Sequence, residues 1–154
     1  MTLLSLSSVM KINLKAPVIA QHQIIIHASR ERVWQILSNI NQWTVWNPNV
    51  SETILQGPLE PNATFRWQSG GTVIKSTIQE IEPLHRLSWT GKVIGTRAIH
   101  TWALESQGDA VLVRTEESFE GWLVQLTKGM MQKMLDTSLQ EWLENLRQEA
   151  EKAN

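Results

Sequence analysis

Gln23 to His27 reads QIIIH, a run of branched apolar residues that predicts a strand. It stops at Ala28-Ser29, where the Ser29 hydroxyl is placed to accept a hydrogen bond from the first turn of a helix. Val33, Trp34, Ile36 and Leu37 then recur at helical spacing, with Glu31 near the positive end of the helix dipole. Asn39 to Trp43 permits a second short helical segment, which Asn47-Pro48 ends because the residue before proline avoids the α region.

From Val50 to Phe119 the pattern changes to short β-type runs separated by Gly57-Pro58, Gly70-Gly71, Pro83, Gly91 to Gly95 and Gly108-Asp109. An antiparallel meander is predicted, with strands near Val50 to Leu55, Thr64 to Gln68, Val73 to Ile81, Arg86 to Thr90, Arg97 to Glu105 and Val111 to Phe119. After Gly121 the period becomes helical again. Leu123, Leu126, Met130, Met134, Leu135, Leu139, Trp142 and Leu146 form one apolar stripe. A helix from about Trp122 to Ala150 would be roughly 40 Å long, against roughly 20 to 25 Å for a seven-residue strand, so it must cross the concave face of the sheet.

A two-residue turn at Gln107-Gly108 would set His100 opposite Thr115, Trp102 opposite Val113 and Ala98 opposite Glu117, all on one face. That face is far more apolar than the one bearing Arg97, Thr101, Arg114, Glu116 and Ser118, and is predicted to be the core face. Alternation also turns Phe65 and Trp67 inward on one earlier strand, and Leu87 and Trp89 on another. Trp34 and Trp142 sit at apolar helical positions and read as packing. Trp67, Trp89 and Trp102 are the better candidates for pocket walls, since ligand sites favour aromatic linings with a few polar groups.

A length of 154 residues with 42% hydrophobic and 19% charged residues predicts one ordinary globular domain. We expect it to span 17–154, with 1–16 a loose extension in which Met10-Lys11 itself resembles a start. The opening MTLLSLSSVM lacks the features of a secretory signal, and no run approaches the roughly 20 apolar residues of a membrane span. A net charge of −1 argues against nucleic-acid partners. The absence of cysteine excludes thiol chemistry and agrees with a cytoplasmic location.

His100 and Glu117 are the candidate catalytic pair. On neighbouring strands they could orient a carbonyl or hydroxyl, or exchange a proton, and an inward glutamate among apolar walls has a raised pKa through desolvation. Glu116 and Glu117 face opposite sides and form no carboxylate dyad. His22, His27 and His85 show no metal-ligand spacing, and Gly70-Gly71 reads as a hairpin turn, so neither metal nor cofactor is expected. Gly129, inside the helical pattern, either permits a bend beside Met130, Met131 and Met134 or marks where regular helix begins.

Three stretches carry a family resemblance: IIIHASRERVWQILSNINQWTVWNPNV from Ile24 to Val50, FRWQSGG from Phe65 to Gly71, and TEESFEGWL from Thr115 to Leu123. With the element order, they resemble the START and pollen-allergen-like helix-grip superfamily, best its SRPBCC polyketide cyclase/dehydrase-like branch. Arg30 stands where such proteins often carry proline. The resemblance implies an α+β helix-grip fold, in which a curved antiparallel sheet of about seven strands wraps a long C-terminal helix and two short helices follow the first strand.

It also implies an elongated cavity between sheet and helix. The expected occupant is a small hydrophobic molecule, whether lipid, polyketide-like or aromatic. Phe65, Trp67, Trp89, Trp102, Val113 and Phe119 from the sheet would line it with Met131 and Leu135 from the helix, while His100, Thr115 and Glu117 supply the polar groups. Two alternatives differ in class. One is a cyclase or dehydratase working by proton transfer in the same cavity; the other is an interaction module presenting Trp43, Val45 and Trp46.

Overall fold

The computed structural model describes residues 9–153. A first strand, β1 (Val18–Ile26), leads into helix α1 (Arg30–Ser38), a single 3-10 turn at Ile40–Gln42 and the one-turn helix α2 (Trp43–Trp46). Six strands follow: β2 (Val50–Leu55), β3 (Thr64–Ser69), β4 (Thr72–Glu82), β5 (Arg86–Val93), β6 (Thr96–Gln107) and β7 (Ala110–Glu120). The chain ends in α3 (Trp122–Leu126) and α4 (Lys128–Glu151). All seven strands form one antiparallel sheet in the order β1-β7-β6-β5-β4-β3-β2, as the helix-grip reading expects.

Local chemistry accounts for the boundaries. The Ser29 side chain accepts from the Arg32 amide at 3.1 Å, capping α1 as predicted. Gly70 and Gly71 both hold positive φ between the paired residues Ser69 and Thr72, the conformation a tight two-residue hairpin demands.

Two expectations need correction. The β6–β7 turn is Gly108-Asp109, flanked by the pair Gln107 and Ala110, because the positive φ falls on Gly108 as first turn residue. Partners therefore move by two residues, so that Trp102 faces Thr115, Ala98 faces Phe119 and His100 faces Glu117, while every side chain keeps its predicted face. The terminal helix is also not continuous. It breaks at Thr127, whose hydroxyl donates to the Leu123 carbonyl at 2.7 Å, and α4 starts one residue before Gly129.

The buried stripe of α4 is narrower than expected. Leu126, Met130 and Met134, expected inside, are 75%, 66% and 52% exposed, whereas Leu135, Leu139, Trp142, Leu143 and Leu146 are buried. The 24 residues of α4 span about 36 Å. The first half of α4 lies on β1, where Leu135 and Leu139 meet Val18 and Ala20. There Gln132 also serves the free edge: its amide donates to the Ile19 carbonyl at 2.7 Å and accepts from the Ile19 amide at 3.4 Å. Its second half covers the centre of the sheet, and Arg32 of α1 donates to the Ala150 and Glu149 carbonyls at its C-terminus.

The opening MTLLSLSS lies outside the described residues, but from Met10 onward the segment expected to be loose is tied down. The Met10 amide donates to Glu80, Arg86 donates to the Met10 carbonyl, and Asn13 bonds Ser118 and Glu120, with Ile12 buried.

Candidate functional site

Antiparallel pairing sorts the inward side chains of the sheet into rows. One row runs Ile78, Trp89, His100, Glu117 and Ala20; the next runs Phe65, Ser76, Gly91, Ala98, Phe119 and Val18. Large rings fill the first row and its neighbour. The middle of the second row carries little more than a hydroxymethyl group, a hydrogen and a methyl.

At the large-ring end aromatic rings fill the space beneath α4. Trp43 of α2 lies with its ring centroid 5.0 to 5.8 Å from those of Phe65, Trp67, Trp89 and Trp142, and Trp142 lies 5.9 Å from Trp67 and Trp102. Most of these contacts are edge-to-face, the arrangement aromatic quadrupoles favour. Trp67, Trp89, Trp102 and Val113, expected as pocket lining, belong to this continuous core. Trp43 and Trp46, expected as exposed interface anchors, are buried against Trp142, which removes the basis of the interaction-module reading; only Val45 of that trio is exposed.

At the small-residue end the inner face is incompletely covered. Ile74, Thr96, Ala98 and Glu117 all retain partial exposure, as do Phe119 and Met131, while Ser76 and Gly91 between them are buried and the Ser76 hydroxyl accepts from the Trp67 indole at 3.0 Å. This seam separates the tryptophan core from the smaller cluster of Val18, Ala20, Val124, Leu135 and Leu139. Sequence reasoning missed its floor. Gly91, read as turn punctuation, lies inside β5, where an added Cβ would come within 3.3 Å of Ile74 and 3.4 Å of Ser76. A glycine inside a strand pattern signals such a close approach.

His100 and Glu117 border the seam. His100 is fully enclosed, stacked on Trp102 at 5.3 Å and tilted against Trp89 at 4.7 Å. Its Nε2 lies 2.8 Å from the Thr115 hydroxyl, which donates its own proton to the Thr101 carbonyl at 3.2 Å. The hydroxyl must then accept from the ring, so the hydrogen-bond pattern assigns the proton to Nε2 and leaves a lone pair on Nδ1. That Nδ1 faces a Glu117 carboxyl oxygen at 3.2 Å, close but poorly aligned for a hydrogen bond.

Burial raises the Glu117 pKa to about 8 and lowers that of His100 to about 3. Both are thus neutral at pH 7. The bare Nδ1 is compatible with a protonated carboxyl, and the poor alignment leaves that proton free for another acceptor. Thr115, predicted among the polar groups, fixes this tautomer from beneath the ring.

His22 lies beside α4, 3.0 Å from Asp136, while His27 and His85 are on other segments. Two surface depressions are also present, one of about 320 Å³ between the β1–α1 loop and the β6–β7 turn, one of about 490 Å³ beside Met10 and Glu80; neither lies between the sheet and α4.

The fold has clear relatives among solved structures. A hypothetical protein from Helicobacter pylori superposes with a TM-score of 0.79 at 20% identity, over 95% of this chain and 99% of that one. A START superfamily protein from Mycobacterium smegmatis gives 0.75 at 15% identity, over 86% and 97%. The Zhui aromatase/cyclase from Streptomyces sp. R1128 gives 0.76 at 12% identity, over 86% and 93%. At these identities the likeness establishes the fold. No curated protein matches the sequence significantly. The family model for polyketide cyclase / dehydrase and lipid transport proteins matches residues 17–151, from the start of the sheet to the end of α4, and the chain belongs to that family.

Proposed function

We propose that the protein binds a small hydrophobic molecule bearing a carbonyl or hydroxyl group, seated in the seam beside Ala98, Phe119 and Met131 and oriented by Glu117. The observation that carries this reading is the Glu117 carboxyl, 13% exposed and 3.2 Å from the unpartnered His100 Nδ1, at the border of an apolar strip; burial raises its pKa to about 8. A carboxyl held neutral donates a hydrogen bond without presenting a charge to an apolar guest. The family's association with cyclases and lipid transport is consistent with such a ligand. Phe119 and Met131 flank the strip, and the thioether adapts to guests of different outline.

The polarity-sensitive naphthyl ketone prodan tests the reading. Its emission shifts to the blue on transfer from water to an apolar site, and binding should saturate at one equivalent. Ala98→Leu, which fills the floor, should weaken binding about tenfold or more, since a blocked pocket forfeits most of the buried contact area. Unchanged affinity in that variant would remove the seam from consideration.

A second reading follows from the same carboxyl. Held protonated near neutral pH, Glu117 is poised as a general acid toward a carbonyl oxygen, with Nδ1 of His100 beside it to share the proton. For a polyketide-like substrate, an enzyme of this kind would lose turnover in Glu117→Gln while keeping its affinity; equal loss of both would favour plain binding.

A further inference from the structure

Four of the six most exposed large apolar side chains among the described residues gather at one end of the molecule. Ile94 in the β5–β6 turn is 83% exposed, Trp122 and Leu126 of α3 are 62% and 75% exposed, and Met130 of α4 is 66% exposed. Two glycines join these pieces into one rim. The Leu123 amide donates to the Gly95 carbonyl at 3.1 Å, and a Cβ on Gly121 would lie 2.2 Å from that same oxygen, so α3 is seated directly on the β5–β6 turn.

Charge distribution adds a second, independent observation. The segments that build the rim, 90–97 and 121–135, contain Lys92, Arg97, Lys128 and Lys133 and no aspartate or glutamate, though Glu120 and Asp136 adjoin them and Arg97 lies 3.6 Å from Glu120. All fifteen carboxylates therefore lie in the rest of the chain, against the ten other lysines and arginines. The exposed apolar groups thus share their segments with three lysines, Lys92, Lys128 and Lys133.

We propose that this rim docks the protein on an anionic lipid surface. Exposed tryptophan with leucine and methionine suits the headgroup and acyl boundary, and flanking lysines add attraction to anionic headgroups. A second copy of the chain fits less well, because a two-fold contact through the rim would bring the lysines of one copy towards those of the other. No helix among the described residues is long and apolar enough to cross a membrane, so the contact is peripheral. The docking surface stands on the rim alone and does not depend on what occupies the seam.

Co-sedimentation of the full chain with extruded vesicles tests it. Binding is expected to phosphatidylcholine vesicles carrying about 30 mol% phosphatidylglycerol, and to pure phosphatidylcholine more weakly by about 100-fold or more. Each cation contributes about fivefold near such a surface, so Lys128→Glu combined with Lys133→Glu should lower partition by about 30-fold or more. Trp122→Ser with Leu126→Ser, both at exposed positions that spare the fold, should lower it about tenfold or more. Failure to sediment with either vesicle, or partition unchanged in both double variants, would overturn the proposal. So would a concentration-dependent dimer in sedimentation velocity that the Trp122 and Leu126 substitutions abolish without any effect on lipid, which would assign the rim to a second copy. Prodan binding measured without vesicles reports on the seam separately.

Discussion

The two ends of the concave face have the same backbone and opposite contents. Towards α1 and α2, each row across the sheet ends in an indole or a branched chain, and Trp43 and Trp142 descend from two helices to interlock with them. One row nearer the β5–β6 turn the side chains shrink to Ser76, Gly91 and Ala98, and the helix above has moved to the β1 edge. In this fold, the space beneath the helix is set row by row through side-chain size. The tryptophans stabilise the sheet–helix junction, and the small residues lie beside the His100 and Glu117 pair.

Truncation separates the two ends most strongly. Trp142→Ala removes a ring that contacts Trp43, Trp46, Trp67 and Trp102, and the rigid surroundings leave a cavity that cannot collapse. The expected loss is about 3 to 5 kcal/mol in urea unfolding. At the other end, Ala98→Leu adds volume where the face is partly open and should cost less than about 1.5 kcal/mol. Comparable losses for the two variants would mean that the seam is as tightly packed as the core.

Much of this architecture could be read from the residues, for identifiable reasons. The Ser29 cap and the Gly70-Gly71 turn depend on neighbours in the chain, and both appear where local chemistry puts them. The inward face of β6 and β7 was also legible, because a turn misplaced by one residue moves partners by two and leaves face parity intact. The direct opposition of His100 and Glu117 was not, since it depends on which residue of the turn takes the positive φ. Trp43 looked like an interface anchor because nothing local shows that α2 folds inward over Phe65. The interruption near Gly129 was one of two readings that glycine left open, whereas the outward turn of Leu126, Met130 and Met134 was hidden because they continue an apolar spacing that the structure turns towards solvent.

The polar pair gives the next largest effect, and its sign is fixed by the direction of each shift. Glu117 has a folded pKa of about 8 against an ordinary 4.5, so the folded state keeps a proton that the unfolded chain releases, and stability falls as pH rises through that interval. His100, at about 3 against 6.5, refuses a proton that the unfolded chain accepts, and stability falls as pH drops through that interval. Between pH 4.5 and 6.5 the two slopes oppose each other. Above 6.5 only Glu117 acts, at about 1.4 kcal/mol per pH unit, giving about 2 kcal/mol lost by pH 8. Glu117→Gln should flatten that alkaline arm relative to the unsubstituted protein. Parallel stability profiles for the two proteins would show that the carboxyl is not desolvated, and the seam would then be ordinary wet surface.

The smallest effect belongs to the link between α4 and the sheet edge. Asp136 accepts from His22 at 3.0 Å and from Gln132 at 3.1 Å, and these bonds, the His22 contact foremost, hold its pKa below the usual carboxylate range. Its stabilising contribution is present above the ordinary aspartate pKa and fades as pH falls towards the lowered value. Because the pair is largely open to solvent, Asp136→Asn at pH 7 should cost about 0.5 kcal/mol or less. Gln132 would still hold both backbone groups of Ile19, so amide exchange at Ile19 should change little. A loss well above about 1 kcal/mol would place the anchoring of α4 in this polar link rather than in Leu135 and Leu139. The helix would then be free to lift from the seam whenever the link was protonated, and the contrast between a rigid aromatic end and an open end would become one between a fixed and a movable half of the same helix.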